Sequence, residues 1–143
     1  MLTEDDVVDA VCSYLERVGY KITRKCATTQ RGDDIVAEKR SSPIALYIEA
    51  KGETSNRKTS KKYGKPFSRS QCRDHVANAF YRAARMLGGK KSTKGVRVGV
   101  ALPDNPIHRE LIAKVQSALH QLRIGVFWVG INRQVTLTAK WYL

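Results

Sequence analysis

Acidic residues are scarce in the second half of this chain: of 13 Asp and Glu, only 3 lie beyond residue 54, whereas 18 of the 26 Lys and Arg do. Residues 1 to 54 therefore carry −2 and residues 55 to 143 carry +15. So lopsided a charge calls for a polyanionic partner, because each neutralised phosphate releases counterions and strengthens binding. A solubilising excess or a ribosome-associated role is the plainer alternative. Cysteine is sparse too. Cys12, Cys26 and Cys72 are odd in number and widely scattered, which argues against a disulfide framework and against a zinc cluster. Cys12 and Cys72 fall near apolar helix faces, where packing is their expected role. No apolar run reaches membrane-spanning length and no charged-plus-apolar leader opens the chain, so a cytoplasmic, nucleic-acid-associated protein with no membrane partner is expected. His108 and His120 lack acidic or Cys partners at ligand spacing and read as surface helix residues. No internal repeat, low-complexity tail or helix-turn-helix module is present. At 143 residues and 42% hydrophobic content, one domain with a single core is expected over residues 1–143.

What is present is a regular alternation of elements. Thr3 followed by Glu4, Asp5 and Asp6 is a helix N-cap with an acidic first turn, and Val7, Val8, Val11, Tyr14, Leu15 and Val18 make an apolar stripe that stops at Gly19. Residues 20 to 28 read as a strand. Residues 32 to 40 (GDDIVAEKR) and 44 to 53 (IALYIEAKGE) read as two more, joined by Ser41-Ser42-Pro43. Ser68-Arg69-Ser70-Gln71 is a capping box opening a helix to about residue 87, with Cys72, Val76, Ala79 or Phe80, Ala83 and Leu87 facing the core. Residues 96 to 102 form a buried strand. Pro106 then begins a helix that turns Ile107, Leu111, Ile112, Val115, Leu119 and Leu122 inward. Residues 124 to 129 add a strand and 135 to 138 an edge. The order αβββαβαβ predicts an α/β sandwich with a mixed central β-sheet.

The chemistry gathers at the second and third strands. A symmetric hairpin centred between Ser41 and Ser42 pairs positions summing to 83, which sets Asp34 opposite Glu49. A side-chain period of two then puts Asp34, Val36, Tyr47, Glu49 and Lys51 on one face and Ile35, Ala37, Ile44, Leu46 and Ile48 on the other. Like charges facing each other across a sheet repel, so something positive belongs between them. Carboxylate oxygens suit Mg²⁺, with Mn²⁺ as a substitute, and the Ala50 carbonyl can supply a further ligand. Lys51, on the same face, can hold an attacking water or stabilise charge on a phosphate. Asp33 competes with Asp34 for the ligand role, but a one-residue shift turns its side chain to the Ile48 face.

The Gly32-Asp33-Asp34 turn into an apolar strand, followed by Ile48-Glu49-Ala50-Lys51-Gly52, resembles the PD-(D/E)XK superfamily of restriction-endonuclease-like nucleases, especially its small Mrr-like and Holliday-junction-resolvase-like members. The resemblance covers the first half well and the rest in outline. It implies a restriction-endonuclease-like α/β sandwich and a Mg²⁺-dependent endodeoxyribonuclease. Asp34 and Glu49 are then metal ligands and Lys51 assists the attacking water. In many members a Glu on the first helix joins the metal; here Val8 occupies the usual position, leaving Glu4, Asp5 or Asp9, of which Glu4 is favoured from one turn upstream. Some members carry Gln-X-X-X-Tyr on the next helix, matched here by Gln71 with His75 in the Tyr position. His75 is expected to be a surface or DNA-facing group. A non-catalytic nucleic-acid-binding module on the same fold and an RNA-processing nuclease are the alternatives.

Between the site strand and the capping box, residues 53 to 66 hold five basic side chains with Ser, Thr, Gly and Pro and no hydrophobic period, which reads as a mobile loop. Arg57, Lys58, Lys61, Lys62 and Lys65 are candidate phosphate contacts there, and Tyr63 can stack on a base. Gln71, His75, Asn78, Arg82 and Arg85 form a polar stripe on the following helix, of which Arg82 and Arg85 are further candidate DNA contacts. Self-association into a homodimer, or entry into a larger protein complex, is left open.

Overall fold

The computed structural model describes residues 1–26, 32–89 and 95–143. Ten elements follow in order: α1 (Glu4–Arg17), β1 (Tyr20–Lys25), β2 (Ile35–Lys39), β3 (Ser42–Ala50), α2 (Arg69–Gly89), β4 (Val96–Pro103), α3 (Pro106–Ala113), α4 (Gln116–Gln121), β5 (Ile124–Val129) and β6 (Val135–Thr138). The six strands lie side by side in chain order. β1, β2 and β3 are antiparallel, β3, β4 and β5 parallel, and β6 antiparallel again. This is a mixed sheet with helices on both faces.

Alternation along the strands builds two cores, one on each face of the sheet, rather than the single core expected. On β5, Phe127 and Val129 point toward α1, while Ile124, Val126 and Trp128 point toward α2, α3 and α4. α1 brings Val7, Val8, Val11 and Leu15 to the first core, and α2 brings Val76, Ala79, Ala83 and Met86 to the second. α1 begins where expected: the Asp6 amide donates to Thr3 Oγ1 at 3.1 Å, and Asp6 Oδ2 accepts from the Thr3 amide at 2.9 Å, a reciprocal cap. At the start of α2 the Gln71 amide donates to Ser68 Oγ at 3.3 Å and Gln71 Oε1 accepts from the Ser68 amide at 2.9 Å.

The hairpin register is the expected one over Ile35↔Ile48, Val36↔Tyr47, Ala37↔Leu46 and Glu38↔Ala45. The turn itself sits one residue earlier, with Lys39 opposite Ser42, and a register shift after Glu38 absorbs the difference.

Several expectations are corrected. The single helix from Pro106 is two, broken at Val115, whose backbone (φ −120°, ψ 7°) leaves the helical region; the order is therefore αβββαβααββ. Leu122 is exposed rather than inward, because it caps the short second piece. On α2, Met86 is buried and Leu87 only half-buried: spacings of 4, 3, 4 and 3 from Cys72 keep Met86 on the core stripe. His108 is fully buried, lying on the same inward stripe as Ile112. The first strand ends at Lys25, with a bulge between Ile22 and Arg24, and residues 27 and 28 of its expected span lie outside the described residues. No helix among the described residues is long and apolar enough to cross a membrane.

Candidate active site

Asp34 enters the site one residue before β2. Its carbonyl accepts from the Cys26 amide at 2.9 Å, continuing the pairing with β1, and its side-chain Oδ2 accepts from the Ala50 amide at 2.7 Å. Ala50, the last residue of β3, thus contributes an N–H to the carboxylate. Asp34 and Glu49 are both buried, at 8% and 2% exposure. Burial, and then the neighbouring Glu49 charge, push the Asp34 carboxyl up to about 7. The two acids across the hairpin therefore feel each other strongly, and the Asp34 carboxylate form is costly.

Glu49 is stabilised by two cations on one oxygen. Lys51 Nζ donates to Glu49 Oε1 at 2.9 Å and Arg82 Nη1 to the same atom at 3.2 Å. Lys51 also lies 3.8 Å from Glu4 Oε2. Glu4 is brought there by Gly52: a Cβ on that residue would meet the Glu4 nitrogen at 2.4 Å and the Thr3 carbonyl carbon at 2.6 Å, so only glycine lets the start of α1 cross the end of β3. The Glu53 amide donates to the Leu2 carbonyl at 2.8 Å, and the Leu2 amide to Glu53 Oε1 at 2.9 Å, fastening the crossing. Burial pushes the Glu4 carboxyl up, with the Glu49 charge adding to it and Lys51 opposing it.

Asp34, Glu49, Lys51 and Glu4 come together, and Arg82 joins them from α2. Asp9 pairs instead with Lys25. Gln71 is engaged by its own cap with Ser68. Asp33 lines a cleft of about 360 Å³ beside the carboxylates, with Gly32, Glu49, Arg82, Arg85, Met86 and Gly89. Arg85 lies 6.0 Å from the ring centroid of exposed Tyr81.

Two carboxylates fit a hard cation. Oδ2 of Asp34 and Oε1 of Glu49 are engaged, while Asp34 Oδ1 and Glu49 Oε2 make no hydrogen bond among the described residues. Glu4 stands in the charge cluster around Lys51, 3.8 Å from its Nζ, and no group of three or more His, Cys, Asp or Glu that could hold an ion is found among the described residues. Mg²⁺ commonly takes only one or two carboxylates and fills its remaining positions with water and phosphate.

A polar cluster that residue spacing does not reveal joins Glu53 to the start of α3. Asn105 caps α3, accepting from the His108 amide at 2.9 Å, and its Oδ1 lies 3.0 Å from His108 Nδ1; Asn105 Nδ2 donates to Glu53 Oε2 at 2.6 Å. Burial lowers His108 to about 4. His75 is half-buried rather than on the surface, edge-on to Phe67 at 4.7 Å, and burial together with Lys51 lowers it as well.

The basic loop has no regular secondary structure, yet its backbone is tied. Thr54 Oγ1 reaches the Lys62 and Lys65 carbonyls at 2.7 and 2.8 Å, and the Phe67 amide closes on the Glu53 carbonyl at 2.9 Å. This is an Ω-loop pinned at its neck. Arg57, Lys58, Lys61 and Lys65 are exposed on it and Lys62 is half-buried.

No protein-family model matches the chain, and no curated protein does. A solved structure of Pyrococcus furiosus SfsA in complex with Ca²⁺ shares 12% identity over 95% of this chain at a TM-score of 0.35, a likeness too loose to carry fold or function across. This chain spans 59% of that one.

Proposed function

We propose that the protein is a Mg²⁺-dependent endodeoxyribonuclease on a restriction-endonuclease-like sandwich. The observation that carries this reading is the burial of Asp34 and Glu49 across the open end of one hairpin, with Lys51 on the Glu49 oxygen. Burying two like charges costs stability, and a fold that needed only a binding surface has no use for the expense.

Asp34 Oδ1 and Glu49 Oε2 would hold the cation. When bound, Mg²⁺, or Mn²⁺ in its place, polarises the phosphate and acidifies the attacking water. Lys51, fixed between Glu49 and Glu4, donates to the charge that develops on the phosphate as the water oxygen bonds to phosphorus and the ester P–O bond breaks. The exposed bases of the Ω-loop grip flanking phosphates of the DNA backbone. One observation favours the alternative of a non-catalytic binding module: Glu49 already has two cationic partners without any metal.

Purified protein incubated with plasmid, branched and single-stranded DNA, and with RNA, each with Mg²⁺ and with EDTA, separates these readings. Cleavage of DNA only with Mg²⁺, lost in Glu49→Gln, is the expected result. Tight DNA binding with no cleavage of any substrate would make it a binding module, and cleavage confined to RNA an RNA-processing nuclease.

A further inference from the structure

We propose that Arg82 occupies two positions in turn: it is the counter-ion of Glu49 while no divalent cation is bound, and it becomes a ligand of the substrate phosphate once a cation takes Glu49. The inference rests on the nuclease reading above and adds to it a residue that couples cation binding to substrate binding.

Lys51 and Arg82 share Glu49 Oε1, but they are held differently. Lys51 sits on the same strand as Glu49, is 14% exposed, and has Glu4 as a second carboxylate. Arg82 reaches across from α2, is 49% exposed, and has Glu49 as its one hydrogen-bond partner among the described residues. A divalent charge arriving at Glu49 repels both cations, and Arg82 is the one with no second partner to retain it. Its side chain is long and lines the open cleft. A phosphate entering that cleft offers the planar guanidinium a bidentate acceptor, which a single shared carboxylate oxygen does not. Leaving Glu49 for phosphate also keeps the buried acid neutralised throughout, first by Arg82 and then by the cation.

Linkage makes this testable without any turnover. If Arg82 competes with the cation for Glu49, removing it must tighten cation binding, and the help that cation and DNA give each other must shrink. Mg²⁺ is titrated calorimetrically against DNA-free wild type, Arg82→Ala, Arg82→Lys and Arg85→Ala. A short labelled duplex is then titrated by anisotropy in EDTA and in Ca²⁺. Arg82→Ala should bind Mg²⁺ about fivefold or more tightly than wild type, and Ca²⁺ should strengthen its DNA binding less than it does in wild type. Arg82→Lys keeps the positive charge at Glu49, so its Mg²⁺ affinity should fall between the two; it also covers the case in which the Ala variant folds poorly. Arg85 pairs with no carboxylate among the described residues, so Arg85→Ala should weaken DNA binding equally in EDTA and Ca²⁺, with Mg²⁺ affinity changed less than in Arg82→Ala.

Equal Mg²⁺ affinity in wild type and both Arg82 variants overturns the inference while leaving the nuclease reading intact. So does an undiminished Ca²⁺ effect on DNA binding in Arg82→Ala. If wild type binds Mg²⁺ no better than an Asp34→Asn/Glu49→Gln double variant, the cation centre itself is absent, and both proposals fall together.

Discussion

Ile35, Ala37, Leu46 and Ile48 on one face of the β2–β3 hairpin, and Asp34 and Glu49 at the end of the other, are all withdrawn from water, none more than 8% exposed. For the apolar four, packed under α1, burial is the driving force, worth roughly 25 cal/mol per Å² of apolar surface. For the two acids it is a cost, visible in the upward push on Asp34 and offset by one backbone amide and two cations. The same backbone register produces both outcomes, because a strand turns alternate side chains to opposite sides. Stability and the proposed chemistry thus fall on opposite faces of one hairpin, and each should be breakable without the other.

The sharpest such break compares neighbours. Ile48→Ala empties fully buried volume and should lower stability by about 2–5 kcal/mol, measured by urea denaturation, while the protein still folded cuts DNA at the wild-type rate. Lys51→Ala should do the reverse: cleavage falls about 10²–10³-fold, with DNA affinity nearly unchanged, because one phosphate contact among many contributes little to binding. If Lys51→Ala cuts normally, or Ile48→Ala costs no stability, the two faces are not divided in this way.

A smaller effect sharpens the comparison on the acidic face alone. The Asp34 carboxyl ionises near 3.8 when unfolded and is raised to about 7 in the fold. Between those values the folded chain holds a proton that the unfolded chain has released, so stability falls as pH rises through that window and is lowest above it. Asp34→Asn keeps an acceptor for the Ala50 amide and removes the charge. In EDTA at pH 8 it should be more stable than wild type by on the order of 1 kcal/mol or more, with the difference vanishing near pH 4. Chemical denaturation at both pH values checks this; identical pH profiles for the two proteins would mean that burial of Asp34 carries no cost.

Much of this division is legible in the sequence, and what is not legible there has a common physical origin. Period two and the Ser41-Ser42 join are local, and they suffice for the register from Ile35↔Ile48 to Glu38↔Ala45, at whose end the Glu49 charge acts on Asp34, even though the turn lies one residue earlier. Caps are local as well, so Thr3 and Ser68 started their helices as expected. Gly52 was visible only as the end of a motif; its role depends on α1 passing within van der Waals range of β3, a contact between segments 48 residues apart. His108 has no ligand partners at a readable spacing, yet its spacing to Ile112 and Leu119 puts it on the inward stripe, where it is buried. Arg82 stood on the polar stripe of α2, but that its guanidinium meets Glu49 follows from how α2 lies on the sheet, which no helical period encodes.

The smallest expected effect concerns the Ω-loop, which belongs to neither face. Its basic side chains are exposed except for half-buried Lys62, and its backbone is held through Thr54 and Glu53 rather than through those side chains. Neutralising Arg57, Lys58, Lys61 and Lys62 together should therefore leave the folding free energy within about 0.5 kcal/mol of wild type. The same change should weaken DNA binding and flatten its salt dependence, by about 0.9 in the slope of log K against log salt for each lost contact to duplex and about 0.7 for single strands. Anisotropy titrations from low to moderate salt measure both quantities. Unchanged affinity and slope in the quadruple variant would make the loop a solvated surface run, and the DNA path would then have to follow Arg82 and Arg85 along the cleft beside Glu49.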